Sequence, residues 1–259
     1  MRSGFLRDDL VPLLGLLPPL LWIGTQDGWM LPRAVLCLLV VLSWQALFAR
    51  IRRQGMGLHG VVSALLIAAF VPESAPFWQL VLGASFGMVM GEAIFGGRGR
   101  GFVQPVVLAL AFMAFSFADQ PWRQGPDLPL VSVVPALLLL LASGQARIGA
   151  LAGVGIGLAG ITALVAPDQI GAMASGALVL AVLYLTADPV VSGATPVSRL
   201  AYGLLAGGLT ALFATSGPGF GALIFATLLA QIFAPLLDHV AIAAHRSRMR
   251  RRARRLRHA

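Results

Sequence analysis

The 259-residue chain is 58% apolar and 11% charged, with a mean hydropathy of +0.86. Soluble domains run nearer half apolar and a quarter charged, so a water-soluble enzyme is excluded. The net charge of +9 rests on 19 basic residues, all arginine, and 8 of these fall between Arg246 and Arg257; such a run reads as a cytoplasmic anchor on anionic lipid, not a nucleic-acid surface.

Apolar runs divided by turn residues predict about ten transmembrane helices, near residues 10–26, 31–49, 58–71, 77–95, 102–118, 130–142, 149–166, 170–186, 200–214 and 219–240. The expected fold class is therefore an all-α integral membrane protein. Residues 1–245 are read as a single polytopic membrane domain and 246–259 as an Arg-rich cytoplasmic tail, with no cleaved signal peptide at the start. An even count puts both termini on one side. With that side in the cytoplasm, 17 arginines lie inside and only Arg33 and Arg123 outside, as the positive-inside rule requires. The lone cysteine, Cys37, sits in an apolar run and excludes a disulfide framework.

The third and eighth spans are short or interrupted by glycine and proline, and both end on a proline beside an acid, Pro72-Glu73 and Asp188-Pro189. Five helices separate them. An odd-numbered repeat inverts its topology, so two inverted five-helix halves with broken third and eighth helices are expected, placing a site at their junction.

Two loops carry chemistry. Between the fourth and fifth spans runs Gly91-Glu92-Ala93-Ile94-Phe95-Gly96-Gly97-Arg98-Gly99-Arg100-Gly101, where glycines permit positive φ and close backbone approach; its residues alone read first as a tight interhelical turn with arginines on lipid headgroups, and otherwise as exposed N–H groups facing an anionic or carbonyl-rich ligand. After the eighth span come Asp188-Pro189-Val190 and Ser192-Gly193-Ala194-Thr195, then Arg199. Asp188, at the end of an apolar helix, needs a task or a partner; an ion pair with Arg199 is the structural alternative. Ser192 and Thr195 are equally candidate helix caps. Gly153, Gly155, Gly157 and Gly160 predict close packing of the seventh span. The five tryptophans, Trp22, Trp29, Trp44, Trp78 and Trp122, read as an interfacial belt. His59 and His239 near span ends are weak haem candidates.

The Phe95-Gly96-Gly97-x-Gly99 loop, the Asp188-Pro189-Val190…Thr195…Arg199 loop, the terminal Ala234-Pro235-Leu236-Leu237-Asp238 and the Ser63 to Trp78 segment occur in order. Together they resemble the NqrB/RnfD family, the large membrane subunits of sodium-pumping NADH:quinone reductase and of the Rnf electron-transport complex. The resemblance implies ten helices in two inverted halves, bound flavin, and electron transfer with a quinone or with other redox subunits of a bacterial inner-membrane complex. The site residues it suggests are Glu92, Phe95, Gly96, Gly97, Gly99, Asp188, Pro189, Val190, Ser192, Thr195 and Arg199.

The sequence also departs from that pattern. Family members attach FMN to a threonine in a periplasmic loop between helices five and six; here that loop, from Asp119 to Leu130, has no Ser or Thr. Thr195 lies in a Ser-Gly-Ala-Thr run, yet the arginine count puts it in the cytoplasm. Riboflavin or FMN held without a covalent bond is therefore the expectation, with covalent FMN on Thr195 the lesser one. Glu92 stands where the family usually has Lys, and Gly101 and Gln104 where it has Asn. A different class of function, a solute transporter or channel on a urea-transporter-like inverted repeat, is the alternative.

Overall fold

The computed structural model describes residues 2–53, 55–117, 120–122, 124–169 and 175–257. Among them are ten α-helices: α1 (Arg2–Gln26), α2 (Met30–Arg52), α3 (His59–Phe70), α4 (Phe77–Met88), α5 (Pro105–Ser116), α6 (Leu130–Ala142), α7 (Ile148–Val165), α8 (Gly176–Ala181), α9 (Pro196–Ala214) and α10 (Gly219–Arg257). Two π-helical segments, Val89–Ala93 and Val182–Thr186, extend α4 and α8. No strand occurs among the described residues. Asp119 and Arg123 lie outside them, as do the side chains of residues 1–9 and of much of the basic tail.

Length divides the helices into two kinds. Met30–Arg52, Ile148–Val165, Pro196–Ala214 and Gly219–Ser247 are long and apolar enough to cross a membrane. The 12 residues of α3 reach only about 18 Å at 1.5 Å per residue, short of a hydrocarbon core of about 30 Å. The short helices are central: Leu66–Val71 and Leu180–Ala187 are buried without a break. The long helices instead expose Leu31, Leu39, Ile51, Ile156, Leu164 and Val197, the apolar outer face that lipid solvates.

The ends of the elements follow local chemistry. Pro105 and Pro196 open α5 and α9 at the first turn, where a missing N–H costs nothing. Ser175 caps α8 by accepting from the Leu178 N–H at 3.3 Å. Arg53, with φ of 55°, closes α2 in the left-handed region. The third span ends cleanly at Val71 in extended backbone ahead of Pro72, and π-helical distortion occurs at the ends of α4 and α8.

α7 packs along α9 through glycines on both helices. A Cβ built on Gly153 would meet the Leu200 carbonyl at 2.5 Å, and one on Gly157 the Leu204 carbonyl at 2.6 Å. From the other side, Gly203 and Gly207 face the carbonyls of Ala150 and Val154 more closely still. Gly155 and Gly160 have nothing within 4 Å, so only half of the expected glycine set makes the contact. The expected tryptophan belt is also corrected at one position. Trp122 is 2% exposed and packs against Phe117, while Trp22, Trp29 and Trp78 are exposed.

The α7–α9 contact predicts a position-specific response to added side chains. Gly203→Val should lower thermal stability in detergent by about 1–3 kcal/mol through overpacking. Gly155→Ala should leave stability unchanged or raise it, since alanine improves helix propensity by about 0.5–1 kcal/mol. Unfolding midpoints of the two variants against the parent protein check this.

Candidate functional site

The broken end of α8 is held by two glutamines from helices far away in sequence. Gln104, the residue before α5, donates its Nε2 to the Tyr184 carbonyl at 2.8 Å and to Asp188 Oδ2 at 3.2 Å. Gln231 on α10 donates its Nε2 to the Leu185 carbonyl at 3.0 Å and accepts the Gln104 backbone N–H at 2.9 Å. A hydroxyl pair, Thr186 and Thr227 at 2.8 Å, and the Tyr184 hydroxyl donating to the Pro12 carbonyl at 2.8 Å, tie the same segment to α10 and α1. A π segment leaves carbonyls without their α-helical donors, and these side chains supply replacements where water is scarce.

The glycine turn reaches this point from the other side. Gly96, Gly97 and Gly99 have φ of 111°, 106° and 86°, a backbone that residues with a Cβ rarely adopt. A Cβ on Gly97 or Gly99 would meet nothing within 4 Å, so the turn presents bare backbone to open space. The N–H groups of Gly96, Gly97 and Arg100 are consumed within the turn by Ala93, Glu92 and Gly97 carbonyls. Three of the N–H donors expected in this turn are therefore spent within it, and Arg98 and Arg100 add positive charge from side chains.

Glu92, Gly97, Gly99, Asp188, Pro189 and Val190 line one small cavity of about 70 Å³. It shares a wall of Glu92, Gly97, Arg98, Gln145 and Pro189 with a cleft of about 520 Å³, which Gly96 also lines. Asp188 is fixed by an Asx turn, accepting the Val190 N–H at 2.9 Å. Desolvation pushes its carboxyl above the ordinary range, against the opposing pull of Arg98 and the Val190 N–H.

The remaining expected residues lie elsewhere. Phe95 leaves both cavities and packs edge-on against Phe102 at 5.4 Å. Thr195 is the N-cap of α9 in a capping box with Ser198, and Asp238 of α10 accepts from the Ala194 and Thr195 N–H groups and from the Ser198 hydroxyl. Ser192 is buried, 3% exposed. Arg199 does not pair with Asp188; its Nε and Nη2 donate to the Gly193 and Ala194 carbonyls at 3.0 and 2.8 Å. The Ser192–Arg199 stretch is thus a helix-capping knot on Asp238, beside the cavities and outside their lining.

Sequence reasoning missed a buried polar cluster at the cleft wall. His59 Nε2 lies 2.6 Å from Glu92 Oε1 and 2.7 Å from the Gln45 amide. Gly60 makes room for the Gln45 amide, since a Cβ there would collide with it. On the opposite face, Arg33 is 1% exposed in the first turn of α2, paired with Asp27 and donating to the Val71 carbonyl at 2.7 Å. The available signal was a polar residue inside an apolar run, which marks Gln45, Gln231 and Arg33 alike.

The glutamine bridge yields a direct prediction. Gln231→Leu strands the Leu185 carbonyl and the Gln104 N–H, each costing about 1–3 kcal/mol when buried unpaired. Thermal stability should fall and amide exchange at Gln104 should accelerate, whereas Ile232→Leu at an exposed neighbouring position should change neither.

The description NQR2, RnfD, RnfE family attaches to a family model that matches residues 10–130 and 130–246. Among curated proteins, a Na(+)-translocating NADH-quinone reductase subunit of Pseudomonas aeruginosa is 27% identical over 293 aligned residues, spanning 90% of this chain and 72% of the relative. The corresponding Na(+)-translocating NADH-quinone reductase subunits of Klebsiella pneumoniae and Azotobacter vinelandii are 26% and 25% identical, over 89% and 90% of this chain and 74% and 72% of theirs. With its apolar helices, this is a multi-pass membrane protein. On the extent of the match, the chain belongs to the NQR2, RnfD, RnfE family.

Proposed function

We propose that the protein is the membrane subunit of an inner-membrane electron-transfer complex. In this reading it holds a flavin, riboflavin or FMN, without a covalent bond, and exchanges electrons with a quinone or a partner redox subunit. The observation that carries the proposal is the convergence of two turns about 90 residues apart, Gly97–Gly99 and Asp188–Val190, on one cavity. The residues fit such a group. Two glycines at positive φ offer backbone without a Cβ, and the adjoining cleft of about 520 Å³ falls in the range that accepts small ligands. A bound flavin would supply one- or two-electron transfer.

The chain's own residues do the holding. Gly97 and Gly99 admit close backbone approach, Pro189 and Val190 give an apolar wall, and Asp188, kept in place by Gln104 and the Val190 N–H, sets a carboxylate at the rim. The Thr195 hydroxyl is engaged in its capping box, which weighs against covalent attachment there. Relatives named as quinone reductase subunits favour this reading over a solute pore.

The same proposal takes α1–α5 and α6–α10 as inverted halves. Its support is the repetition of packing partners five helices on: α1 with α3 and α6 with α8, α3 with α5 and α8 with α10, α2 with α4 and α7 with α9, α4 with α5 and α9 with α10. The pairs α1–α6 and α5–α10 each join an element to its own counterpart, as a two-fold relation demands. Ten crossings with both termini in the cytoplasm, and a basic tail from 246 at the lipid surface, complete the arrangement.

Two tests follow. Gly97→Val forces a β-branched residue to a φ of 106° while meeting no neighbour, so the variant should insert and purify yet carry less than half the parental flavin-to-protein ratio. Asp188→Asn should fold and bind flavin more weakly, and a denaturing gel of the parent should show no flavin fluorescence at the protein band. Full flavin content in both variants, or a fluorescent band abolished by Thr195→Val, would contradict the assignment. For topology, a reporter after Ala259 should behave as cytoplasmic and one inserted at Gly125 as periplasmic.

A further inference from the structure

The larger cleft has a charge balance that the flavin reading does not use. Arg52, Arg98 and Arg100 line it, with His59 and Glu92 in its wall. The one carboxylate among these lining residues, Glu92, is hydrogen-bonded to His59, so three guanidinium groups face a single acid. The ion pairs among the described residues are Arg33 with Asp27 and His59 with Glu92, so none of the three arginines is neutralised by contact with an acid there. Arg98 acts on Asp188 only through its field.

The arginines are also placed. Arg52 lies over the Phe48 ring at 5.1 Å and donates to the Ile94 carbonyl at 3.4 Å, which fixes the last turn of α2 against the glycine turn. The Arg100 guanidinium packs against Gly96, where a Cβ would come within 3.0 Å of it. Arg98, two residues earlier, lines both cavities. Guanidinium groups without acid partners around a concave space match a compact, multiply charged oxyanion, which each can bind in a two-pronged way.

We propose that this cleft is a phosphoryl-binding site in which Arg52, Arg98 and Arg100 hold a phosphate group. The group belongs either to a soluble phosphate monoester or to an anionic lipid headgroup, since the cleft lies on the arginine-rich side of the molecule. Glu92 is held in the wall by His59, and Gln45 of α2 approaches the same imidazole nitrogen. The cleft is the one into which the proposed flavin pocket opens; the arginine set does not depend on that reading, and the site is read in protein stripped of flavin.

The test titrates inorganic phosphate into the detergent-purified, delipidated full chain at constant ionic strength and follows the thermal midpoint. A parallel arm adds phosphatidylglycerol or phosphatidylcholine in mixed micelles. Saturable stabilisation is expected from phosphate, from phosphatidylglycerol, or from both, and not from phosphatidylcholine. The Arg98→Gln/Arg100→Gln variant should weaken the apparent affinity at least about tenfold, given the strength of charge-assisted hydrogen bonds, without altering the midpoint in the absence of ligand. Arg246→Gln, exposed on α10, should titrate like the parent. Stabilisation by phosphatidylglycerol alone assigns the site to a lipid headgroup; stabilisation by phosphate alone assigns it to a soluble ligand. No saturable effect from either, or an unchanged affinity in the double variant, overturns the proposal.

Discussion

Everything near the candidate site depends on satisfying backbone carbonyls where a helix stops inside an apolar bundle. At the end of α8 the carbonyls of Tyr184 and Leu185 find Gln104 and Gln231, and the two glutamines are joined through the Gln104 N–H. An unpaired carbonyl at this depth has no water to fall back on. The bridge therefore fixes three things together: the course of the eighth helix, the entry of α5, and the position of Asp188, which the same Gln104 amide contacts. At the end of α3 a single residue does comparable work, with Arg33 reaching the Val71 carbonyl while Asp27 matches its charge.

Packing of the long helices keeps this centre rigid. The α7–α9 contact brings carbonyls over glycines, so small shifts there are sterically refused. Asp238 of α10 gathers the N–H groups of Ala194 and Thr195, and Arg199 gathers the carbonyls of Gly193 and Ala194. The loop after α8 is thus anchored at its far end by a polar knot and at its near end by Gln104. Between the anchors, Pro189 and Val190 line the cavity. Such preorganisation suits a site that must hold a flat, largely apolar group beside a few polar atoms.

Much of the fold was legible because lipid imposes long apolar runs, and turns between them collect glycine, proline and arginine. The two loops that line the cavity were legible for the same reason: Gly97, Gly99 and Asp188 are anomalous in an apolar chain. What escaped depends on contacts across the bundle. Thr195 and Arg199 were singled out by the family-like motif they share with Asp188; their contacts in the fold are with Ser198 and backbone carbonyls, with Asp238 bound to the same knot. The glycines of α7 divide by helical register, since Gly155 stands about 200° around the helix from Gly153 at 100° per residue. The π segment of α8 was hidden as well, because Gln104 and Gln231 make its distorted register tolerable from a distance of many residues.

The central claim is that the glycine turn and the Asp188 turn act on one flavin. Amide hydrogen exchange of the purified full chain, compared before and after flavin removal, tests it most directly. Removal should speed exchange in segments 97–104 and 187–191 and leave the α7–α9 contact unchanged. Changes confined to the opposite face around Asp27 and Glu73, or to the Thr195 cap alone, would contradict the account.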